Sequence, residues 1–128
     1  MDQELDDKLV ADFPNLYALR HGSMMETCMY QGFSVGNGWH DIIRDLSVKL
    51  EALILALPAA TRSECCASQV KEKFGTLRFY MDGSTDEMDA LIHAAESLSF
   101  KTCEECGAPG ERRGSGWIRT LCDEHAKK

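Results

Sequence analysis

Three cysteines and one histidine near the end of the sequence have types and spacings suited to metal binding. Cys103 and Cys106 form a C-x2-C pair followed by Gly107, and Cys122 and His125 form a C-x2-H pair separated from it by fifteen residues. Two donors three positions apart can bind one ion through a tight turn, and a glycine can adopt the backbone conformation that follows it. Zinc prefers a tetrahedron of thiolate and imidazole ligands. The spacing therefore predicts one zinc ion per chain, bound by Cys103, Cys106, Cys122 and His125.

Four protein ligands leave no coordination position for water or a substrate, so the predicted ion is structural rather than catalytic. Residues 103–128 are too few to bury the apolar surface that independent folding needs, and metal binding offsets that shortfall. If the fold placed His125 elsewhere, His93 or Cys65 would be the alternative fourth ligand.

The residues between the two ligand pairs predict the form of a small module. Gly114-Ser115-Gly116 is typical of a turn, and residues 117–121 are typical of a strand. The second ligand pair would then lie in the first turn of a short helix. This order of knuckle, hairpin and helix resembles zinc-ribbon and treble-clef modules.

A body of helices and a hairpin is predicted to hold this module. Residues 3–12 and 39–57 have the apolar spacing of helices, with Asn37 as the expected N-cap of the second helix and Pro58 as its stop. Residues 32–38 form a loop with three glycines, under which Trp39 can pack. The fold class is therefore α+β: a small antiparallel hairpin or sheet packed on two or three helices in residues 1–100, with the zinc module in residues 101–128.

The hairpin is predicted over residues 66–82, where apolar and polar side chains alternate around a turn at Lys73-Phe74-Gly75. Ser84 and Glu87 then match a capping box, with Ser84 as the N-cap of the next helix. The buried stripe of this helix is expected to comprise Met88, Leu91, Ile92, Ala95 and Leu98.

The remaining thiols and thioethers have no ligand spacing. Of the adjacent Cys65 and Cys66, we expect one to point into the core and the other outward. A cluster of methionines beside the glycine loop has two interpretations, core packing or an adaptable apolar contact. It comprises Met24, Met25 and Met29.

The net charge of −7 lies entirely in residues 1–102, because residues 103–128 contain five acidic and five basic residues. An acidic body could face a basic partner surface, or its charge could serve only solubility. Free nucleic acid is disfavoured as the default partner, because phosphate binding depends on lysine and arginine. The acidic N-terminus has no secretory pattern, and no apolar run approaches the roughly 20 residues that span a bilayer. We expect a cytoplasmic protein with no membrane partner.

Two groups of residues nevertheless have the types that contact nucleic acid. Basic side chains interleaved with aromatic ones can bind phosphates and stack bases, although aromatic residues are also simply favoured in strands. The candidate binding residues are Lys71, Lys73, Phe74 and Arg78 in the hairpin, and Arg112, Arg113 and Arg119 in the zinc module.

Three stretches together resemble a family of small uncharacterised proteins encoded in bacteriophages, prophages and bacterial genomes. They are residues 38–43 (GWHDII), residues 69–80, which include KEKFGTLRFY, and the C-terminal CxxC…CxxH stretches at 102–107 and 116–126. The resemblance covers roughly residues 30–126. It implies a bacterial host cell as the setting and a host protein, including components of antiviral defence, as the kind of partner.

The leading functional hypothesis is a non-enzymatic zinc-binding protein that acts through protein–protein interaction, as a phage-encoded inhibitor of a host defence protein. It depends on the closed zinc site, on the acidic body and on the lack of a catalytic constellation in the sequence. The alternative is a nucleic-acid-binding zinc-finger regulator that uses the arginines of the module.

Overall fold

The computed structural model describes residues 1–22 and 28–127, with Cys28 described by its backbone alone, so Met24 and Met25 lie outside the described residues. The helices are α1 (Gln3–Asp12), α2 (His40–Leu55), α3 (Ala59–Arg62), α4 (Asp86–Ser99) and α5 (Asp123–Ala126). The strands are β1 (Phe33–Ser34), β2 (Cys66–Lys73), β3 (Thr76–Asp82), β4 (Glu111–Arg113) and β5 (Arg119–Leu121). Short 3₁₀ turns occupy Ala18–His21, Cys28–Gln31 and Asn37–Trp39. This architecture confirms the predicted α+β class.

Helix α2 is the longest element and follows the predicted apolar stripe. Its inward face comprises Ile42, Ile43, Leu46, Leu50 and Ile54, all buried. The predicted N-cap is wrong: no side chain caps α2, and the Asn37 Oδ1 instead accepts a 2.8 Å hydrogen bond from the backbone amide of Asp2. Asn37 therefore holds the start of the chain and does not open the helix.

Strands β2 and β3 form the predicted antiparallel hairpin, and β1 adds a third strand in the order β1-β2-β3. The pairing of β1 with β2 is parallel, with Phe33 opposite Val70. This strand lies inside the segment predicted as a glycine loop, and two residues are too few to show an alternating pattern. The turn joins β2 to β3 through Phe74 and Gly75, whose φ angles are 55° and 81°.

Helix α4 begins one residue later than predicted. Its N-cap is Thr85, whose Oγ1 accepts from the backbone amide of Met88 at 3.2 Å, whereas the Ser84 hydroxyl donates to the Asp89 carboxylate. Leu98, placed in the buried stripe by its spacing, is 49% exposed. The helix runs beside the free edge of β3, where the Glu96 carboxylate accepts from the amide of Phe79 at 3.0 Å. Such contacts satisfy edge amides that would otherwise face solvent.

The core lies between the three-stranded sheet and helices α1, α2 and α4, and Trp39 is fully buried in it. Met29 is also buried, as core packing requires. Both Cys65 and Cys66 are buried, so the prediction that one points outward is wrong. The N-terminal segment covers the start of β2, where the amide of Ala67 donates to the carbonyl of Leu16 at 2.8 Å.

None of the helices in the described residues combines the length and apolar character that a membrane crossing requires.

Candidate metal centre

The first ligand pair lies in a tight turn over residues 103–108, which we call the knuckle. The amide of Gly107 donates to the carbonyl of Cys103 at 2.9 Å, and the amide of Cys103 donates to the carbonyl of Ala108 at 2.8 Å. Gly107 has a φ of 81°, the left-handed conformation expected of it from the sequence. The knuckle turns Cys103 into the protein, where it is buried, and leaves Cys106 exposed.

The second ligand pair is positioned by a hairpin and a single turn of helix. Strands β4 and β5 pair antiparallel, with Arg112 opposite Thr120. Cys122 is the N-cap residue of α5, and the amide of Ala126 donates to its carbonyl at 3.0 Å. One helical turn carries His125 back over Cys122, as the C-x2-H spacing requires.

The structure brings the four predicted ligands into one cluster. Their donor atoms all lie within 4.8 Å of one another. The Cys103 Sγ lies 3.6 Å from the His125 Nδ1, and the Cys106 Sγ lies 3.7 Å from the Cys122 Sγ. A zinc tetrahedron with Zn–S about 2.3 Å and Zn–N about 2.0 Å has S–S edges of about 3.8 Å and S–N edges of about 3.5 Å. The four groups can therefore hold one metal ion, and neither alternative ligand, His93 or Cys65, belongs to the cluster.

Two of the four groups, Cys103 and Cys122, are biased toward the thiolate that a metal needs, whereas the pKa of Cys106 and the pKa of His125 are raised by contacts that include the neighbouring thiols. Burial opposes ionisation of the Cys103 thiol, but hydrogen bonds with the backbone of Cys122, Cys106 and Glu105 outweigh it and lower its pKa to about 6. A backbone hydrogen bond at His125 lowers the pKa of Cys122. Thiolates are the zinc-binding form of cysteine, so these hydrogen bonds favour the metal-bound state.

Glu105 takes part in the site although the sequence reasoning did not select it. Its Oε2 lies 3.7 Å from the His125 Nε2, and its Oε1 lies 3.7 Å from the Arg119 Nη1. A carboxylate beside the outer nitrogen of a histidine favours the tautomer whose inner nitrogen is free to bind a metal. The only sequence signal was its position between the two knuckle cysteines.

The knuckle is fixed to the start of α2. The Trp39 Nε1 donates to the carbonyl of Thr102 at 2.9 Å, and the amide of Gly38 donates to the carbonyl of Glu104 at 2.7 Å. A Cβ at Gly38 would overlap the carbonyl oxygen of Cys103, so the close approach requires glycine here. The glycine loop and Trp39 therefore form the surface on which the knuckle packs.

Glu104 is a second anchor of the knuckle and is almost fully buried. Its Oε2 accepts from the amide of Gly36 at 2.9 Å, and its Oε1 lies 3.7 Å from the Arg119 Nη2. Burial raises the pKa of this carboxyl group despite the opposing effect of the amide of Gly36 and of Arg119. The contact joins the knuckle to both the glycine loop and strand β5.

The C-terminal module, which contains the four ligands, also contacts the turn of the β2–β3 hairpin. The Thr120 Oγ1 donates to the carbonyl of Gly75 at 2.6 Å, and the Arg112 Nη2 donates to the carbonyl of Phe74 at 2.8 Å. The two predicted groups of binding residues, one in the hairpin and one in the C-terminal module, therefore meet at this point.

The seven predicted binding residues do not all lie on one surface, although Lys71, Lys73 and Arg78 share one face of the β2–β3 hairpin. Lys71 lies opposite Arg78 across β2 and β3. Arg113 forms an ion pair with Asp123 at 2.7 Å, while Arg119 faces Glu104 and Glu105. The structure thus brings Lys73, Phe74 and Arg112 together and directs Arg113 and Arg119 toward acidic residues of the chain itself.

No protein-family model, curated protein or solved structure matches the chain. The resemblance to small phage and prophage proteins therefore stays a prediction.

Proposed function

We propose that the protein binds one structural Zn²⁺ and acts, without catalysis, by binding another protein. The observation that carries the metal assignment is the cluster of three thiols and one imidazole nitrogen, whose donor atoms lie within 4.8 Å of one another. Soft sulfur ligands with one imidazole select zinc over magnesium or calcium, which prefer oxygen. Four protein ligands complete the tetrahedron and leave the ion without a position for substrate.

The ion would join two parts of the chain that the body holds differently. Cys103 is tied to the start of α2 through its neighbours Thr102 and Glu104. Cys122 and His125 follow the β4–β5 hairpin and lie at the end of the chain. Zinc therefore fixes the last helix to the knuckle, and through the knuckle to the core.

Exposed aromatic side chains support the protein-binding part of the proposal. Trp117 is 79% exposed and Phe74 is 60% exposed, and both lie in turns held by the zinc module or next to it. Large aromatic residues and arginine contribute most of the energy in protein interfaces. The resemblance to phage and prophage proteins supports the biological role that we propose, inhibition of a host defence protein.

Native mass spectrometry of the full chain recovered from bacterial lysate, with and without nuclease, tests this proposal. We expect one zinc ion per chain and a host protein that stays bound after nuclease treatment. A chain without zinc would overturn the metal assignment. Turnover of a substrate that depends on one polar cluster would overturn the non-enzymatic assignment.

A nucleic-acid-binding zinc-finger regulator is the second candidate, favoured by the position of Lys73 and Arg112 beside exposed aromatic rings. It predicts binding to DNA or RNA that weakens with salt and with alanine at Arg112, Arg113 and Arg119. Two of these arginines are already paired with acidic residues of the chain, which reduces their availability to phosphates. Absence of binding at low salt would remove this candidate.

A further inference from the structure

One exposed surface combines aromatic rings with basic side chains where the zinc module meets the β2–β3 turn. We name it the seam surface, and it consists of Lys73, Phe74, Phe100 and Arg112. We propose that the seam surface binds an acidic segment of a partner protein, one that also carries apolar side chains. This inference rests on the proposed protein-binding function and specifies its surface and the chemistry of its partner.

Arg112 links the two sides of the seam surface. Its Nη2 donates to the carbonyl of Phe74 at 2.8 Å, and its guanidinium carbon lies 5.3 Å from the centre of the Phe100 ring. The Lys73 ammonium lies 5.6 Å from the centre of the Phe74 ring. The rings are 60% and 43% exposed, so each cation lies beside an aromatic surface that a partner could cover.

The backbone conformation of Phe74 indicates that the phenylalanine side chain does not stabilise the fold. Phe74 has a φ of 55° and is followed by Gly75 at 81°, which matches the two positive φ values of a type I′ hairpin turn. Asparagine is favoured at the first of these positions, and a bulky residue there is strained. A strained backbone that presents an exposed aromatic ring is typical of a functional site.

The charge of the seam surface indicates an acidic partner. Its two basic residues have no acidic residue among them, and they leave a formal charge of −9 for the rest of a chain whose total is −7. Two neighbouring carboxylates already accept backbone hydrogen bonds, Glu72 from the amide of Gly75 and Glu96 from the amide of Phe79. Arginine pairs well with carboxylates while its flat face packs on aromatic rings.

The same charge distribution favours an acidic protein segment over nucleic acid. A long nucleic acid strand would be opposed by the net negative charge of the whole molecule, −7, whereas a short segment confined to the seam surface would be opposed less. A short acidic segment can place its carboxylates on Lys73 and Arg112 and its apolar side chains on the two phenylalanine rings. The seam surface therefore suits a partner whose negative charge is local.

A selection of random 12-residue peptides displayed against the zinc-loaded full chain tests this inference. We expect the selected peptides to be rich in aspartate and glutamate together with aromatic or aliphatic residues. A synthetic peptide from the selection should bind about tenfold more weakly to K73E, R112E and F74N. The matched control is K49E, the same charge change on the exposed face of α2, which should bind like the parent chain.

Zinc content and melting temperature of each variant separate loss of binding from loss of fold, and K73E covers the case in which R112E does not fold. Selected peptides without acidic enrichment, or peptides that bind K73E and F74N as tightly as the parent chain, would overturn the inference. Displacement of the peptide by equimolar dT20 would reassign the surface to nucleic acid. If K73E and F74N retain a host protein as well as the parent chain does, the protein does not bind through the seam surface, but the proposed protein-binding function stands. If the parent chain contains no zinc, the metal assignment in the proposed function is wrong.

Discussion

The Trp39 indole donates a 2.9 Å hydrogen bond from Nε1 to the carbonyl of Thr102, the residue before the first predicted ligand. Trp39 is fully buried and is the residue before the core helix α2, so this bond joins the core to the residue that precedes the knuckle. Metal binding at the cluster would therefore be coupled to folding of the body through this side chain as well as through Glu104. An ion that orders the knuckle would also stabilise the glycine loop and Trp39, on which the knuckle packs.

Replacing Trp39 by Phe should weaken both the packing of the core and the hydrogen bond to Thr102. The substitution removes the indole N–H, leaves the carbonyl of Thr102 without its partner and opens a cavity. We expect the free energy of unfolding to fall by about 2–4 kcal/mol, measured by urea denaturation of the zinc-loaded chain. Trp117→Phe is the control, because Trp117 is 79% exposed; equal losses in the two variants would contradict the coupling.

Removing the metal should unfold the C-terminal module. Without an ion, the thiols and imidazole have no attraction strong enough to hold α5 against the knuckle. We expect EDTA to abolish the dispersed amide resonances of β4, β5 and α5 in a ¹⁵N–¹H correlation spectrum. Cys106→Ser should lower zinc affinity by at least about tenfold, whereas Cys66→Ala, outside the cluster, should still bind one equivalent.

Glu105 should control how long the ion stays bound. Its carboxylate lies 3.7 Å from the His125 Nε2, where it can fix the ring orientation and tautomer. We expect Glu105→Gln to speed zinc transfer to a chromogenic chelator by about 10-fold or more. Glu111→Gln, an exposed carboxylate on β4, is the matched control, and identical transfer rates in the two variants would show that Glu105 has no such role.

The Phe74 backbone should be relaxed by asparagine. Asparagine adopts positive φ at a lower cost than phenylalanine, and the phenylalanine ring contributes little burial at 60% exposure. We expect Phe74→Asn to raise the free energy of unfolding by about 0.5–1 kcal/mol. Phe74→Ala, which removes the ring without favouring positive φ, should show no such gain; a loss of stability in both variants would mean that the ring supports the fold.

The buried thiol of Cys66 should react slowly with alkylating reagents. Burial raises its pKa, with Asp82 and Cys65 adding to the effect, so at pH 8 it has less thiolate than a free cysteine. Only the thiolate reacts with iodoacetamide. We expect peptide mapping after a timed exposure to find Cys66 unmodified in the folded chain and modified in urea; rapid modification of the folded chain would contradict its burial.

Local patterns in the sequence determined much of this molecule. The ligand set followed from the C-x2-C and C-x2-H spacings. Residues three positions apart in a tight turn or a helical turn lie close together in any fold. The apolar period of α2 and the alternation over β2 and β3 likewise fixed those elements, because burial on one face requires that repeat.

Other features depended on residues that are distant in sequence. Asn37 is a residue type that often caps helices, but its side-chain oxygen accepts a hydrogen bond from the amide of Asp2 instead. Cys65 and Cys66 are both buried at the start of β2, next to the point where the amide of Ala67 donates to the carbonyl of Leu16. The role of Glu105 and the seam surface formed by Phe74 and Arg112 exist only after the module docks on the body. The physical reason is that a sequence encodes period and spacing locally, whereas packing between distant segments decides which polar groups meet.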